Sequence, residues 1–198
     1  MLINIIGDCD KRPVLYTVMK ICQALGDVLL ITSSSRLIRL SDTGESYGHC
    51  QNTMIAVTDE GIDTFWEDFT YDVTDFEFVI VDNIVSGEAD LTIYVEGMIQ
   101  SEQELANLEY IDDYHTIELY KGSIIDAKTM LRCEEFESLR DFCPINQKVA
   151  EKVAAIMAPA LHTDAKKLFS IAMVQTSTHP TKLPSTKNRP SLSLLRKR

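Results

Sequence analysis

Paired cysteines, long apolar runs and catalytic signatures are all missing from this sequence of 198 residues. Its five cysteines are odd in number and form no CxxC pair, so neither a disulfide framework nor a zinc site is predicted and reduced thiols are expected. No apolar stretch approaches the roughly 18–20 residues of a membrane span. The N-terminus has no basic region before its short apolar run and does not resemble a signal peptide. We therefore expect a cytoplasmic protein.

Motifs for metal-dependent and nucleophilic catalysis are also missing. The chain has no GxSxG and no HExxH pattern, and its histidine spacing favours surface or structural roles for His49, His115, His162 and His179. One alternative is a reactive thiol at Cys9, which precedes a predicted helix, where a thiol pKa can fall. The flanking Asp8 and Asp10 oppose that effect.

Positive charge is scarce except at the C-terminus. The chain has 19 Lys and Arg against 30 Asp and Glu, a formal net charge of −11. The last acidic residue is Asp164, and residues 178–198 hold six basic residues, so the remaining 177 residues carry −17. Because a general nucleic-acid binder needs a net basic face, this balance argues against one.

Apolar runs and helical periodicity alternate along the first 32 residues. Leu2–Ile6 is a short apolar run closed by Gly7 and predicts a buried strand. Apolar residues at helical spacing follow Pro13, and Val28–Ile31 is a second buried run. This order and length are typical of a βαβ unit.

The rest of the chain continues the alternation. Further strands are predicted at Met54–Val57, Phe76–Val81, Leu91–Val95 and Tyr114–Tyr120, with a short one at Leu37–Leu40 inside a loop from Arg36 to Asn52. Helices are predicted at Asp59–Phe69, from a capping box at Ser101 to about Tyr110, and at Ile124–Leu131, Glu134–Phe142, Ile145–Ala160 and Asp164–Met173. The pattern predicts one α/β domain over residues 1–175, a mainly parallel sheet flanked by helices in three layers. Residues 176–198 are predicted to form a basic, flexible tail.

The order of these pieces resembles the MinD/ParA group of P-loop ATPases over roughly residues 1–110. Leu2–Gly7, the following helix and Asp27–Thr32 look like the opening of that group. The stretch from Asp75 to Asp82 looks like its Walker B strand, which ends in an aspartate. Residues 89–95, Ala-Asp-Leu-Thr-Ile-Tyr-Val, look like its next strand. The resemblance implies a P-loop fold, with ATP and magnesium as cofactors.

The phosphate loop departs from this family pattern. Glycines let backbone N–H groups wrap around phosphate, and a lysine and a hydroxyl complete the GxxxxGK[ST] motif. Counted from Gly7, the glycine, lysine and hydroxyl positions fall on Arg12, Pro13 and Val14. If Lys11 is the family lysine, the loop is short and Arg12 stands at the hydroxyl position. We therefore expect a degenerate site without a resident cofactor.

Three interpretations of residues 7–13 stay open. In the first, they form an ordinary βα turn in which Asp10 caps the helix while Lys11 and Arg12 are solvated. In the second, Gly7, Lys11, Arg12 and the helix N-terminus bind a phosphate or another anion, and Asp82 belongs to the vestigial site. In the third, ATP hydrolysis persists, with Asp82 holding magnesium.

Two further segments are candidates for partner binding. The acidic stretch from Asp59 to Asp75 surrounds Phe65 and Trp66 at helical spacing. It predicts either an amphipathic helix covering the sheet or a partner-binding face with Phe65 or Trp66 as an exposed anchor. At the C-terminus, apolar and basic residues combine: Leu192, Leu194, Leu195, Arg196, Lys197 and Arg198. This segment is interpreted as a solubilising tail, a weak membrane anchor or an arm that docks on an acidic partner, such as a second copy.

These observations favour a non-catalytic scaffold, adaptor or regulatory subunit of a larger assembly such as a positioning, secretion or pilus system. Its expected partners are other proteins, with a homodimer and a peripheral membrane contact through the tail as further options. Two alternatives remain: an active nucleotide-binding ATPase switch with an atypical P-loop, and a nucleic-acid-associated protein acting through its basic tail.

Overall fold

A computed structural model describes residues 1–37, 46–82, 84, 88–119 and 146–174, and within them seven strands form one sheet. The strands are β1 (Leu2–Ile6), β2 (Val28–Thr32), β3 (Tyr47–Cys50), β4 (Thr53–Val57), β5 (Phe78–Asp82), β6 (Leu91–Glu96) and β7 (His115–Glu118). Several predictions lie outside the described residues: most of the Leu37–Leu40 strand, the helices at Ile124–Leu131 and Glu134–Phe142, and the tail.

The sheet has the order β3-β4-β2-β5-β1-β6-β7. Neighbouring strands are parallel except β3 and β4, which pair antiparallel. The first strand lies inside the sheet: Ile3 lies opposite Ile80 of β5 on one side and Leu91 of β6 on the other. The predicted α/β class with a mainly parallel sheet is confirmed at this level.

Five α-helices lie in the described residues, α1 (Arg12–Gln23), α2 (Ile62–Asp68), α3 (Glu102–Leu108), α4 (Gln147–Ala160) and α5 (Ala165–Met173), with a short 3-10 helix at Val73–Asp75. Pro13 stands in the first turn of α1, where a missing N–H costs nothing. The capping box of α3 is confirmed, since Ser101 and Glu104 each accept the other's backbone N–H. Asn146 and Asp164 cap α4 and α5.

The helices cover both faces of the sheet. On one face, α1, α4 and α5 pack against alternate strand residues such as Ile3 and Ile5. On the other face, Phe65 of α2 packs against Leu29 and Ile31, while the C-terminal end of α3 packs near Ile6. The described residues therefore form a helix–sheet–helix arrangement in three layers.

The prediction of a loop throughout Arg36–Asn52 is wrong at its end. Residues 47–50 form the edge strand β3, in which Tyr47 and His49 are exposed while Gly48 and Cys50 are buried. So short and polar a segment carries no apolar run to reveal a strand. Pairing with β4 supplies its backbone hydrogen bonds instead.

Candidate functional site

The carboxyl ends of three neighbouring strands meet at one edge of the sheet. Asp82, the last residue of β5, lies opposite Ile5 of β1 on one side and Thr32 of β2 on the other. The turn that leaves β1, residues 7–11, therefore runs beside the ends of β5 and β2. Ligands of open α/β sheets bind at this kind of edge.

A cavity of about 300 Å³ opens there. It is lined by Asp8, Cys9, Asp10, Lys11, Arg12, Leu15, Ser34, Arg36, Leu37 and Asp82. The lining has three basic and three acidic side chains, so its formal charges balance. Three of the predicted anion-site residues, Lys11, Arg12 and Asp82, meet in this cavity, and Gly7 begins the turn beside it.

Lys11 and Asp82 form a buried ion pair at the floor of the turn. The Lys11 Nζ lies 3.2 Å from Asp82 Oδ1, with side-chain exposures of 5% and 3%. The ammonium also donates to the Gly7 carbonyl at 2.8 Å. The Thr32 hydroxyl donates to Asp82 Oδ2 at 2.8 Å and accepts the Ser34 N–H at 3.0 Å. The interpretation with a solvated Lys11 is therefore wrong, because its charge is buried against β5.

Arg12 is held by Asp10 at the rim of the cavity. Its Nε donates to Asp10 Oδ1 at 2.8 Å and its Nη2 donates to Oδ2, a bidentate pair. Burial acts to raise the Asp10 pKa, but the Arg12 hydrogen bonds and charge, with Arg36 adding to them, bring this pKa below its ordinary value. The helix begins at Arg12, and Asp10 accepts the Arg12 backbone N–H at 3.3 Å. Asp10 thus contacts the helix start from one residue before the cap position, which is Lys11.

Glu104 joins the turn to the start of α3. Its Oε1 accepts the Asp8 N–H at 3.1 Å and its Oε2 accepts the Ser101 N–H at 3.3 Å. The Ser101 hydroxyl accepts the Glu104 N–H at 3.0 Å and donates to Asp8 Oδ2. A buried carboxylate therefore serves both a helix cap and the turn after β1.

The thiol of Cys9 is directed into the protein. Its Sγ donates to the Val95 carbonyl at 3.3 Å. Burial raises the Cys9 pKa to about 11, although the nearby Lys11 charge acts to lower it. A thiol with such a pKa is protonated at neutral pH, so the geometry disfavours the reactive-thiol alternative.

Gly7 serves the packing of the turn. Its φ of +135° is one that side chains disfavour, and a Cβ there would lie 2.3 Å from the Val95 carbonyl oxygen. A glycine is therefore required where β1 leaves the sheet beside β6.

The two predicted anchors of α2 differ in exposure. Phe65 is 3% exposed and packs on the sheet, so the prediction that it could be an exposed anchor is wrong. Trp66 is half-buried and contacts the Phe65 ring at a centroid distance of 5.2 Å. The predicted tail residues Leu192, Leu194, Leu195, Arg196, Lys197 and Arg198 lie outside the described part of the chain.

Other chemistry is sparse in the part of the chain that the structure describes. No group of three or more His, Cys, Asp and Glu side chains there is arranged to hold a metal ion. Within the same residues, no helix has the length and apolar composition to cross a membrane.

No family model, curated protein or solved structure matches this chain. The resemblance to the MinD/ParA group thus remains a prediction from the residues quoted above.

Sequence reasoning missed three contributors to the site, Glu104, Thr32 and Arg36. Thr32 could have been identified from the sequence as a site residue, because it is a polar residue at the carboxyl end of a buried strand. Glu104 was identified as a helix-capping residue, but its contact with Asp8 joins segments 96 residues apart. Local patterns do not reveal such a contact.

Proposed function

We propose that this chain is a non-catalytic scaffold, adaptor or regulatory subunit, with a degenerate nucleotide site held closed by its own side chains. Its partners are other proteins. The observation that carries the proposal is the buried Lys11 ammonium, which is bound by the Asp82 carboxylate and the Gly7 carbonyl.

Protein carboxylates already bind three donors that could otherwise contact phosphate. Asp82 binds the Lys11 ammonium, Glu104 accepts the Asp8 N–H, and Asp10 binds the Arg12 guanidinium. A phosphate that captured Lys11 would leave Asp82 buried without its counter-charge. Separating a buried ion pair in this way costs about 3–5 kcal/mol.

The residues present do not fit an ATP–magnesium group. A P-loop supplies a chain of glycine N–H groups and a hydroxyl for the metal, whereas this turn has aspartates at positions 8 and 10 and arginine after Lys11. With three basic and three acidic residues, the cavity also has no net attraction for a polyanion. These features favour a protein that does not hydrolyse nucleotides.

A second candidate, an anion- or nucleotide-binding switch, rests on one observation. Arg12 and Arg36 line the same cavity as Lys11, at the sheet edge where ligands bind. Arg36 is exposed, so it could reach a ligand without first being uncovered.

Thermal unfolding of the full chain separates the two candidates. We would measure the midpoint alone and with millimolar Mg-ATP, Mg-GTP, Mg-ADP and Mg-GDP. A ligand that binds only the folded chain adds about 2.7 kcal/mol at a hundredfold excess over its dissociation constant. The proposal predicts no shift. A rise that Arg36→Ala abolishes would contradict it and support the switch, and Glu109→Ala, an exposed change at the C-terminal end of α3, is the matched control.

A further inference from the structure

A continuous cluster of aromatic rings covers α2 and the neighbouring edge of the sheet. Phe69 is its centre, with ring centroids 5.0 Å from Phe65, 5.6 Å from Tyr71 and 6.3 Å from Tyr47. Trp66 lies 5.9 Å from Phe69. We call these five residues the α2 aromatic surface. Phe65 lies beneath, while Tyr71 is 50% and Tyr47 39% exposed.

The stretch of sequence that contains α2 carries charge of one sign. Eight acidic residues and no basic residue occur in positions 59–77: Asp59, Glu60, Asp63, Glu67, Asp68, Asp72, Asp75 and Glu77. All eight are exposed. The sequence has no Lys or Arg anywhere from residue 40 to residue 120. Exposed aromatic side chains inside an acidic rim favour a ligand that is both basic and apolar.

The same chain contains such a segment. Residues 178–198 hold six basic residues and no acidic one, together with the apolar Leu192, Leu194 and Leu195. We propose that the α2 aromatic surface binds the basic C-terminal segment of its own chain, residues 178–198.

The tether makes this contact favourable. Val174 is fixed to the body, because its carbonyl accepts the Lys20 ammonium. The 24 residues that follow span up to about 80 Å when extended, whereas a domain of this size has a radius of gyration of about 16 Å. The end of the segment, residues 192–198, therefore reaches α2, and the residues before it cross from the face that α5 covers. A tether of this length also gives the segment a millimolar effective concentration at that surface, ahead of any untethered competitor.

This contact is independent of the nucleotide site, since α2 lies on the face opposite α1. A finding that the cavity binds ATP would neither support nor contradict the proposed contact.

Carbodiimide cross-linking of the full chain tests the contact. This reagent joins a lysine amine to a carboxylate that lies against it, and mass spectrometry identifies the pair. We expect links from Lys182, Lys187 or Lys197 to Asp63, Glu67, Asp68 or Asp72. Mixing ¹⁴N- and ¹⁵N-labelled chains shows whether each link lies within one copy.

Paired charge reversals provide the control. Glu67→Lys with Asp68→Lys reverses two acidic residues beside the α2 aromatic surface. Glu102→Lys with Glu109→Lys makes the same change of charge at exposed positions at the two ends of α3. The proposal predicts that the yield of tail links to Asp63 and Asp72 falls about tenfold in the α2 variant, a factor equivalent to about 1.4 kcal/mol. It predicts little change in the α3 variant.

Trp66 supplies a second readout, because it is the only tryptophan in the chain. In the full chain, reversing the tail charges with Arg196→Glu, Lys197→Glu and Arg198→Glu should increase acrylamide quenching of its fluorescence. Equal quenching in both proteins would overturn the proposal. So would links that spread evenly over all acidic regions, or links found only between copies.

Discussion

The turn after β1 and the surface around α2 differ in the pairing and exposure of their charged side chains. In the turn, the carboxylates of Asp8, Asp10 and Asp82 accept hydrogen bonds from the side chains of Ser101, Arg12 and Thr32, and Asp82 also forms an ion pair with Lys11. Around α2, eight exposed acids lie in a stretch without a single Lys or Arg. Pairing within the chain offsets the cost of burying a charge and leaves little for a ligand, whereas exposed acidic charge attracts a basic one. We therefore expect recognition at α2, while the turn after β1 keeps its charges paired within the chain.

The largest expected effect comes from breaking the buried pair. Asp82→Asn leaves the Lys11 ammonium buried without a counter-charge, so we expect the free energy of unfolding to fall by about 3–5 kcal/mol. Urea denaturation measures this loss. The double variant Lys11→Met with Asp82→Asn should recover part of it. Equal losses in the single and double variants would contradict a charge-based role for the pair.

The next effect concerns the close approach of the turn to β6. Gly7→Ala places a Cβ 2.3 Å from the Val95 carbonyl oxygen at a φ of +135°, so we expect a loss of about 3 kcal/mol in the free energy of unfolding. Gly61→Ala is the matched control, because a Cβ at that position would have no neighbour within 4 Å. That change should stay within about 1 kcal/mol. Similar losses in both variants would mean that the turn does not require glycine.

A smaller effect is expected where the turn meets α3. Ser101→Ala removes the helix cap and the hydrogen bond to Asp8, which should lower the free energy of unfolding by about 1–2 kcal/mol. Ser170→Ala, an exposed change in α5, should cost less than about 0.5 kcal/mol. If the two serine variants unfolded alike in urea, Ser101 would not join the turn to α3.

The smallest expected effect is a change in the free energy of unfolding with pH. The Asp10 pKa is lower in the folded chain than its ordinary value of 3.8, so the folded state binds fewer protons there than the unfolded state. The stability from Asp10 is therefore present above pH 3.8 and is lost as the pH falls through the folded pKa. Comparing unfolding of the native chain and Asp10→Asn across this range should show a shallower acid loss in the variant. Parallel curves would contradict the Asp10–Arg12 interaction.

Much of the fold could be predicted because the strands inside the sheet are buried on both faces. Val28–Ile31 is apolar throughout and Leu2–Ile6 is apolar except for Asn4, and this pattern identifies strands without knowledge of their neighbours. Helices with local caps, such as the one that follows Ser101, could also be predicted from the sequence. The edge strand Tyr47–Cys50 was missed because its pairing with β4, rather than its composition, makes it a strand.

The position of the site could be predicted from the sequence, but the partners of its charged side chains could not. Lys11 and Asp82 were identified as candidates from the family resemblance, which matches them to the phosphate-loop lysine and the Walker B aspartate. Whether their charges face solvent, a ligand or each other depends on contacts between residues far apart along the chain. Sequence spacing carries no information on that choice, and the burial of Lys11 emerged only from the structure.

The most direct test of the closed site follows individual backbone amides by NMR. The N–H groups of Asp8 and Arg12 are already bound by Glu104 and Asp10. Titration of the ¹⁵N-labelled full chain with Mg-ATP and with inorganic phosphate should leave the amide signals of residues 7–12 unmoved at millimolar ligand. Saturable shifts confined to those residues would contradict the account, because they would show that the turn still binds phosphate.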